Sequence, residues 1–404
     1  MSLDYSSPPI QVTCHELLIP PNTETVTVSP ISQPLPPLAN NHLRIRVKYG
    51  ALNFADVLQV GGKYQEKRLP PFIPGSEIAG VVCEINSSNE VNHHSFQIGD
   101  QVLLLAQKDG WQSFIDIPIQ YPAMIRVPKS IDLKKAAGLF VAFSTSHVAL
   151  THPRHGNLQK CKLELDSKEQ VAMMKQTMTH SEQTMKHTTN QQTQSEQVAM
   201  KQTMKKRKIV LVLGASGGVG LAACQIAKAL GAIVIAACSS DEKCQLCKEK
   251  AHADHVINYE ANKKDWFKTV LTDFTNGKGC DIIYDPVGGD LGMQSLKCMA
   301  WGGVWLVIGF ATSHIPQIPA NILLVKNCSA SGVYWGSYMK HEPQVIQHSM
   351  KELFEMMTRG EIDPFISHVY PVEHVVKAMN DMLQRKTIGR VLLSFDENER
   401  LSKM

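Results

Sequence analysis

Residues 208–243, "KIVLVLGASGGVGLAACQIAKALGAIVIAACSSDEK", decide the fold. Ile209 to Leu213 are all branched apolar residues, which suits a buried strand. A glycine-dense turn follows, then a helical run ending near Leu230, then a second apolar strand from Ile233 to Cys238. Strand, turn, helix and strand at this spacing form the repeating unit of a parallel sheet.

Three chemistries use such a turn. A nucleoside-triphosphate loop needs Lys-Ser or Lys-Thr after the last glycine, and neither is present. A nucleophile elbow is formally matched by Gly214-Ala215-Ser216-Gly217-Gly218, with Asp285 and His368 as candidate triad partners, but no His-Gly-Gly oxyanion segment exists. The third pattern, A-x-G-x-x-G from Ala215 through Gly217 to Gly220, places glycine where backbone must approach a pyrophosphate and where helix must pack on strand. The helix N-terminus then adds free N–H groups and positive dipole. The flanking elements favour this dinucleotide reading.

The tip of the second strand selects the cofactor. An acidic residue there accepts the ribose 2′-hydroxyl of NAD, whereas this chain has Cys238-Ser239-Ser240, with Asp241 opening the next helix. Small hydroxyls, with Lys243 one turn on, suit a 2′-phosphate, so the expected cofactor is NADPH. Ser239 with Glu242 also reads as a capping box for that helix.

Downstream, apolar strands and helices alternate through "DHVINY", "CDIIYDPV", "GVWLVIGF" and "CSASGVYW", which predicts a doubly wound parallel sheet covered on both faces. Upstream, "LRIRVKYG", "IAGVVCEI", "QVLLLA" and "SFIDIPI" are short β-rich runs separated by turns, which predicts a mostly antiparallel barrel or sandwich. "SIDLKKAAGLFVAFSTSHVAL" then turns helical, with Ser130 as its expected N-cap. The expected division is a first domain over 1–144, completed by 340–404, and a nucleotide-binding domain over 145–339. Residues 158–207 repeat "EQVAM" and "KQTM" with almost nothing to bury, and are expected to be a low-complexity, disordered insertion.

The 404 residues carry a net charge of +4, and the insertion alone, with nine Lys/Arg against five Asp/Glu, accounts for it. No folded face is therefore marked as a nucleic-acid or anionic-membrane surface. The charge-free run Ile209–Ala227 is broken by glycines and reads as buried strand plus buried helix, not as a membrane span. The N-terminus shows no signal or transit pattern, and ten scattered cysteines suit reduced thiols, so the expected location is cytoplasmic. Cys244-x-x-Cys247 with His252 and His255 has the wrong spacing for a zinc finger and lies on an amphipathic helix, so buried thiols are expected.

The segments "LNFADVLQVGGKY", "LPPFIPGSEIAGVV", "GDQV", "GASGGVGLAACQIAKALGA", "NILLVKN", "GVYWGSY" and "TIGRVLLSF" together resemble the medium-chain dehydrogenase/reductases, and within them the zinc-free quinone oxidoreductases of the zeta-crystallin kind. The resemblance covers nearly the whole chain outside the extreme N-terminus and the insertion. It implies a GroES-like catalytic domain followed by a Rossmann domain. It also implies substrate-pocket roles for Asn53, Asp56 and Tyr64, and cofactor contacts at Ser216, Gly217, Gly218, Val219, Gly220, Ser240, Lys243, Tyr259, Gly309 and Phe310. Zinc-bearing relatives place Cys where this chain has Asn53 and His where it has Ser76, so no catalytic metal is expected. The implied activity is NADPH-dependent reduction of quinones or other conjugated carbonyls. Alternatives are an enoyl-thioester or alkenal reductase, or an NADPH-holding structural or RNA-associated protein. The expected partner is a small molecule, with a second copy of the chain pairing along the "SASGVYW" edge.

Overall fold

The computed structural model describes residues 8–31, 34–87, 96–106, 109–160, 207–312 and 314–396. The 158–207 repeat therefore lies outside the described residues, except for its first three residues and Arg207.

The first half is built on β3 (His42–Leu52), β4 (Glu77–Asn86), β5 (Gln101–Leu105), β6 (Phe114–Pro118) and β7 (Met124–Arg126), preceded by a hairpin of β1 (Ile10–Cys14) and β2 (Val26–Pro30). The eleven-residue β3 is long enough to pair with three strands at once: β4 on one side, β6 along its first half, and a C-terminal strand along its second. Val12, Ile45, Leu52, Ile78, Leu104 and Trp111 close the core of this β-rich unit.

The second half carries β8 (Ile209–Leu213), β9 (Ile233–Cys238), β10 (His255–Asn258), β11 (Cys280–Asp285), β12 (Met299–Val307) and β13 (Ser329–Gly332). They form one six-stranded parallel sheet in the order β10-β9-β8-β11-β12-β13. Every residue of β8 is buried, as a central strand with two covered faces requires. One face packs on helices Phe140–Thr151, Gly218–Ala229 and Pro343–Thr358, and the other on Trp266, Phe267, Val270 and Leu296. Strand order reverses between β8 and β11, which opens a crevice beyond their carboxyl ends.

The chain ends with β14 (Ile366–Pro371) and β15 (Arg390–Ser394). β15 leaves the parallel sheet and pairs antiparallel with β3, carrying β14 beside it. Both expected architectures, the β-rich unit and the doubly wound sheet, are present. One local expectation differs. The helix predicted from Ser130 is split into Leu133–Ala136 and Phe140–Thr151, and its first turn is capped by Asp132, whose carboxylate accepts from Lys134 and Lys135 N–H. Asp132 is two residues nearer the apolar run and caps better than a serine set farther off. Among the described residues no helix is long and apolar enough to cross a membrane.

Candidate active site

The glycine turn sits at the crevice. Gly214 ends β8 in the left-handed region (φ 57°) and Gly217 caps the following helix, its N–H bonded to Gly214 O at 3.0 Å. A Cβ on Gly220 would stand 2.3 Å from Gly214 O and 2.8 Å from Ala215 Cα, so helix and strand meet at a distance only glycine permits. A Cβ on Gly217 would meet nothing nearer than 3.4 Å, so glycine there leaves space above the backbone that packing does not use. Ser216 is buried and its carbonyl accepts the N–H of Gly389 at 2.8 Å. Gly218 and Val219 occupy the first turn, and Ser146 Oγ lies 2.9 Å from Val219 O.

The tip of β9 gathers the residues expected for the 2′-phosphate. Ser240, not Ser239, caps the helix Asp241–Ala251, its Oγ accepting from Lys243 N–H at 3.3 Å. Ser239 is thereby left to its side-chain partners: Lys243 Nζ lies 3.3 Å from its Oγ, and Tyr259 hydrogen-bonds to it. Lys243 Nζ also donates to the carbonyl of Arg385 at 3.1 Å, and the Arg385 charge acts on Tyr259. Burial raises the Tyr259 phenol, against the pull of Ser239 and Arg385. Gly309 and Phe310 follow β12 on the far side of the crevice, on a loop fixed by Ala311 N–H to Pro286 O and Thr312 N–H to Val287 O.

Between turn and β-rich unit lies a buried polar lattice. Asn53 caps helix Phe54–Val60, and its own N–H is held by Asp56 Oδ2 at 2.8 Å. Its amide donates to Glu77 Oε2 at 2.9 Å and accepts from Arg390 Nη1 at 2.9 Å. Arg390 Nη2 donates to the same Glu77 oxygen at 2.7 Å, while Glu77 Oε1 accepts the N–H of Val141 at 3.0 Å. Ser76 Oγ donates to Asp56 Oδ1 at 3.2 Å. Asn53, Asp56, Glu77 and Arg390 are all at most 6% exposed. Burial pushes the Asp56 carboxyl up to about 7, with the Glu77 charge adding and the Asn53 N–H, Ser76 and Arg390 opposing. A Cβ on Gly218 would come within 3.2 Å of Arg390 Nη1, so this lattice abuts the glycine turn.

Tyr64 lies on the loop after helix Phe54–Val60, with its N–H bonded to Leu58 O. Its phenol is hydrogen-bonded with Tyr334, which in turn donates to Glu66 Oε1 at 2.8 Å. Tyr334 follows β13, so this contact links the β-rich unit to the parallel-sheet unit. Burial, Glu66 and Asp56 raise Tyr64.

Residues 39–113 match the family described as "Alcohol dehydrogenase GroES-like domain", and residues 218–358 the one described as "Zinc-binding dehydrogenase". The chain is 33% identical over 359 residues to "Quinone oxidoreductase-like protein 2 homolog" of Nematostella vectensis, across 88% of this chain and 82% of that one. The chain belongs to the medium-chain dehydrogenase/reductases, in their quinone oxidoreductase-like family. Two solved structures share the fold of this medium-chain dehydrogenase/reductase family member. Escherichia coli quinone oxidoreductase complexed with NADPH has a TM-score of 0.71 at 22% identity, over 95% of this chain and 99% of that one. CurK enoyl reductase has a TM-score of 0.71 at 22% identity, over 96% of this chain and 99% of that one.

The rival readings of the glycine turn find no geometry in this quinone oxidoreductase-like chain. Asp285 spends one oxygen on the N–H groups of Val287 and Gly288 and the other on the Trp305 indole, and His368 stacks on Tyr370 at the surface. Cys244 and Cys247 turn inward toward Cys238, while His255 stacks on Phe274. Sequence reasoning passed over Glu77, Arg390 and Arg385. The first two stand inside the quoted "LPPFIPGSEIAGVV" and "TIGRVLLSF" segments, and the signal was available: a charged residue at the edge of an apolar strand has to find a buried partner.

Proposed function

We propose that this chain is an NADPH-dependent, metal-free reductase of quinones or other conjugated carbonyls. The observation that carries the reading is the Asn53–Glu77–Arg390 and Asp56–Ser76 lattice, whose Asn53 and Ser76 occupy the positions at which the family resemblance implies Cys and His in zinc-bearing members. An amide and a hydroxyl replace thiolate and imidazole, neither supplies the anionic sulfur or ring nitrogen that zinc takes, and the amide is already held by Glu77 and Arg390, so the donor set does not fit zinc. An acceptor reduced without a Lewis acid must spread its developing negative charge by conjugation, which favours quinones and enones over simple ketones.

The cradle fits a dinucleotide. Gly217 leaves open space, Gly220 fixes the helix N-terminus, and Ser239, Ser240, Lys243, Tyr259 and Arg385 gather hydroxyls and positive charge where a 2′-phosphate would lie. When bound, the reduced nicotinamide supplies a hydride. Asn53, its amide plane locked by Arg390 and Glu77, and Tyr64 are the groups placed to orient the acceptor carbonyl. The same reading includes a cytoplasmic, self-associating protein, with a second copy along the β13 edge.

The test is NADPH oxidation followed across quinones, enones, enoyl thioesters and unconjugated ketones, with and without chelator. Turnover confined to conjugated acceptors, unchanged by chelation, with substoichiometric zinc, is the expected result. One tightly bound zinc per chain, or NADPH binding without turnover on any acceptor, overturns it.

A further inference from the structure

Reduction of a carbonyl needs a proton on oxygen as well as a hydride on carbon, and the described residues offer few groups able to give one. Asn53 has an amide, Arg390 a guanidinium that keeps its protons, and both Glu77 oxygens are occupied as acceptors by Asn53, Arg390 and Val141. The Tyr64 phenol is raised by burial, Glu66 and Asp56, which makes it a weaker acid than an ordinary tyrosine. Asp56 is different. It is 3% exposed and has two hydrogen-bonding partners, the backbone N–H of Asn53 and the hydroxyl of Ser76. A backbone N–H cannot pass a proton on, whereas a hydroxyl can accept one and give one in a single motion. Ser76 is also only partly buried, so of the two partners it is the one that can pass a proton from the enclosed carboxyl outward.

We propose that Asp56 and Ser76 form a two-residue proton relay: the Ser76 hydroxyl gives its proton to the acceptor oxygen and takes one from the Asp56 carboxylic acid. This rests on the reductase reading above. The hydride carries two electrons and one hydrogen, and the relay proton is the second, so the two together complete the two-electron, two-proton reduction; in a quinone the carbon-bound hydrogen is then exchanged through solvent for one on the second oxygen, with no net gain of protons. For the relay the Ser76 hydroxyl, which donates to Asp56 Oδ1 at rest, turns its hydrogen to the acceptor and accepts from the protonated Asp56; its O–H breaks as the acceptor O–H forms, the Asp56 O–H breaks as Ser76 is restored, and Asp56 is left as carboxylate until solvent reprotonates it. The groups facing Asp56 set its readiness. Glu77 on β4 opposes its ionisation, Arg390 on β15 favours it, Tyr64 stands near on the following loop, and burial, the largest effect, holds the carboxyl near neutral pH. A proton donor of that strength is matched to working pH.

Single-turnover mixing of the NADPH complex with a quinone or enone reads the step directly. Wild type should slow as pH rises through about 7, with a rate lowered in heavy water. Ser76→Ala and Asp56→Asn should each lose roughly 100- to 1,000-fold and flatten that pH dependence, with NADPH affinity unchanged. Ser76→Thr keeps a hydroxyl and should restore most of the rate, which separates relay from packing. An active wild type beside a Ser76→Ala variant with the same rate and pH profile overturns the relay alone. A wild type that binds NADPH but reduces no conjugated acceptor overturns the reductase reading and the relay with it.

Discussion

At the scale of single residues, buried charge organises the site. Asp56 in the unfolded chain titrates near 3.9, whereas burial raises it to about 7 in the fold, so the folded state binds this proton more tightly. Its contribution is fully present below about 4 and is lost as pH rises towards 7. Asp56→Asn removes the titration, so its stability relative to wild type should improve with pH, at a slope approaching about 1.4 kcal/mol per unit between 5 and 7. Denaturant midpoints across that range measure it, and a difference that does not change with pH refutes it. Lys243 offers a second lever, held between Ser239 Oγ and Arg385 O. Lys243→Glu should weaken NADPH roughly ten- to thousandfold and NADH far less, read by fluorescence titration. Equal losses would place Lys243 in the fold's support and not beside the phosphate. Serines and lysine at a strand tip were legible because local spacing places them. Arg385 was not, because 142 residues separate it from Lys243 and only the fold brings them together.

At the scale of the element, the strand–turn–helix unit was readable because its chemistry is local, and its two motif glycines serve different ends. Gly217 has ordinary backbone (φ −77°) and room for a Cβ, while a Cβ on Gly220 collides with backbone atoms of Gly214 and Ala215. Gly217→Ala should therefore keep the melting temperature and lose NADPH affinity, since the methyl group occupies space meant for the ligand. Gly220→Ala should lose both, with roughly 1–3 kcal/mol of destabilisation from overpacking. Thermal melts with and without NADPH distinguish the two, and equal behaviour of the variants would sink the division of roles. The split after Ala136 and the cap at Asp132 were not legible, since helix boundaries depend on which nearby side chain reaches the free N–H groups first.

For the whole molecule, the decisive feature is a return that no local pattern announces. β15 belongs to the first sheet through β3, yet Gly389 bonds to the glycine turn and Arg390 binds Asn53 and Glu77, so residues from four parts of the chain meet at one place. The opposite end of the parallel sheet is less finished. β13 is a four-residue edge strand, and near it Trp301 is 76%, Leu324 80% and Val325 72% exposed. An unpaired edge beside exposed large apolar residues invites another strand, and a two-fold axis would pair β13 with its own copy using one surface twice. The protein should therefore sediment as a dimer. Leu324→Glu combined with Val325→Lys, which adds no net charge, should yield monomers that still bind NADPH, because the cofactor crevice lies between β8 and β11 and away from this edge. A monomeric wild type, or a variant that stays dimeric, would show that this face is not where two copies meet.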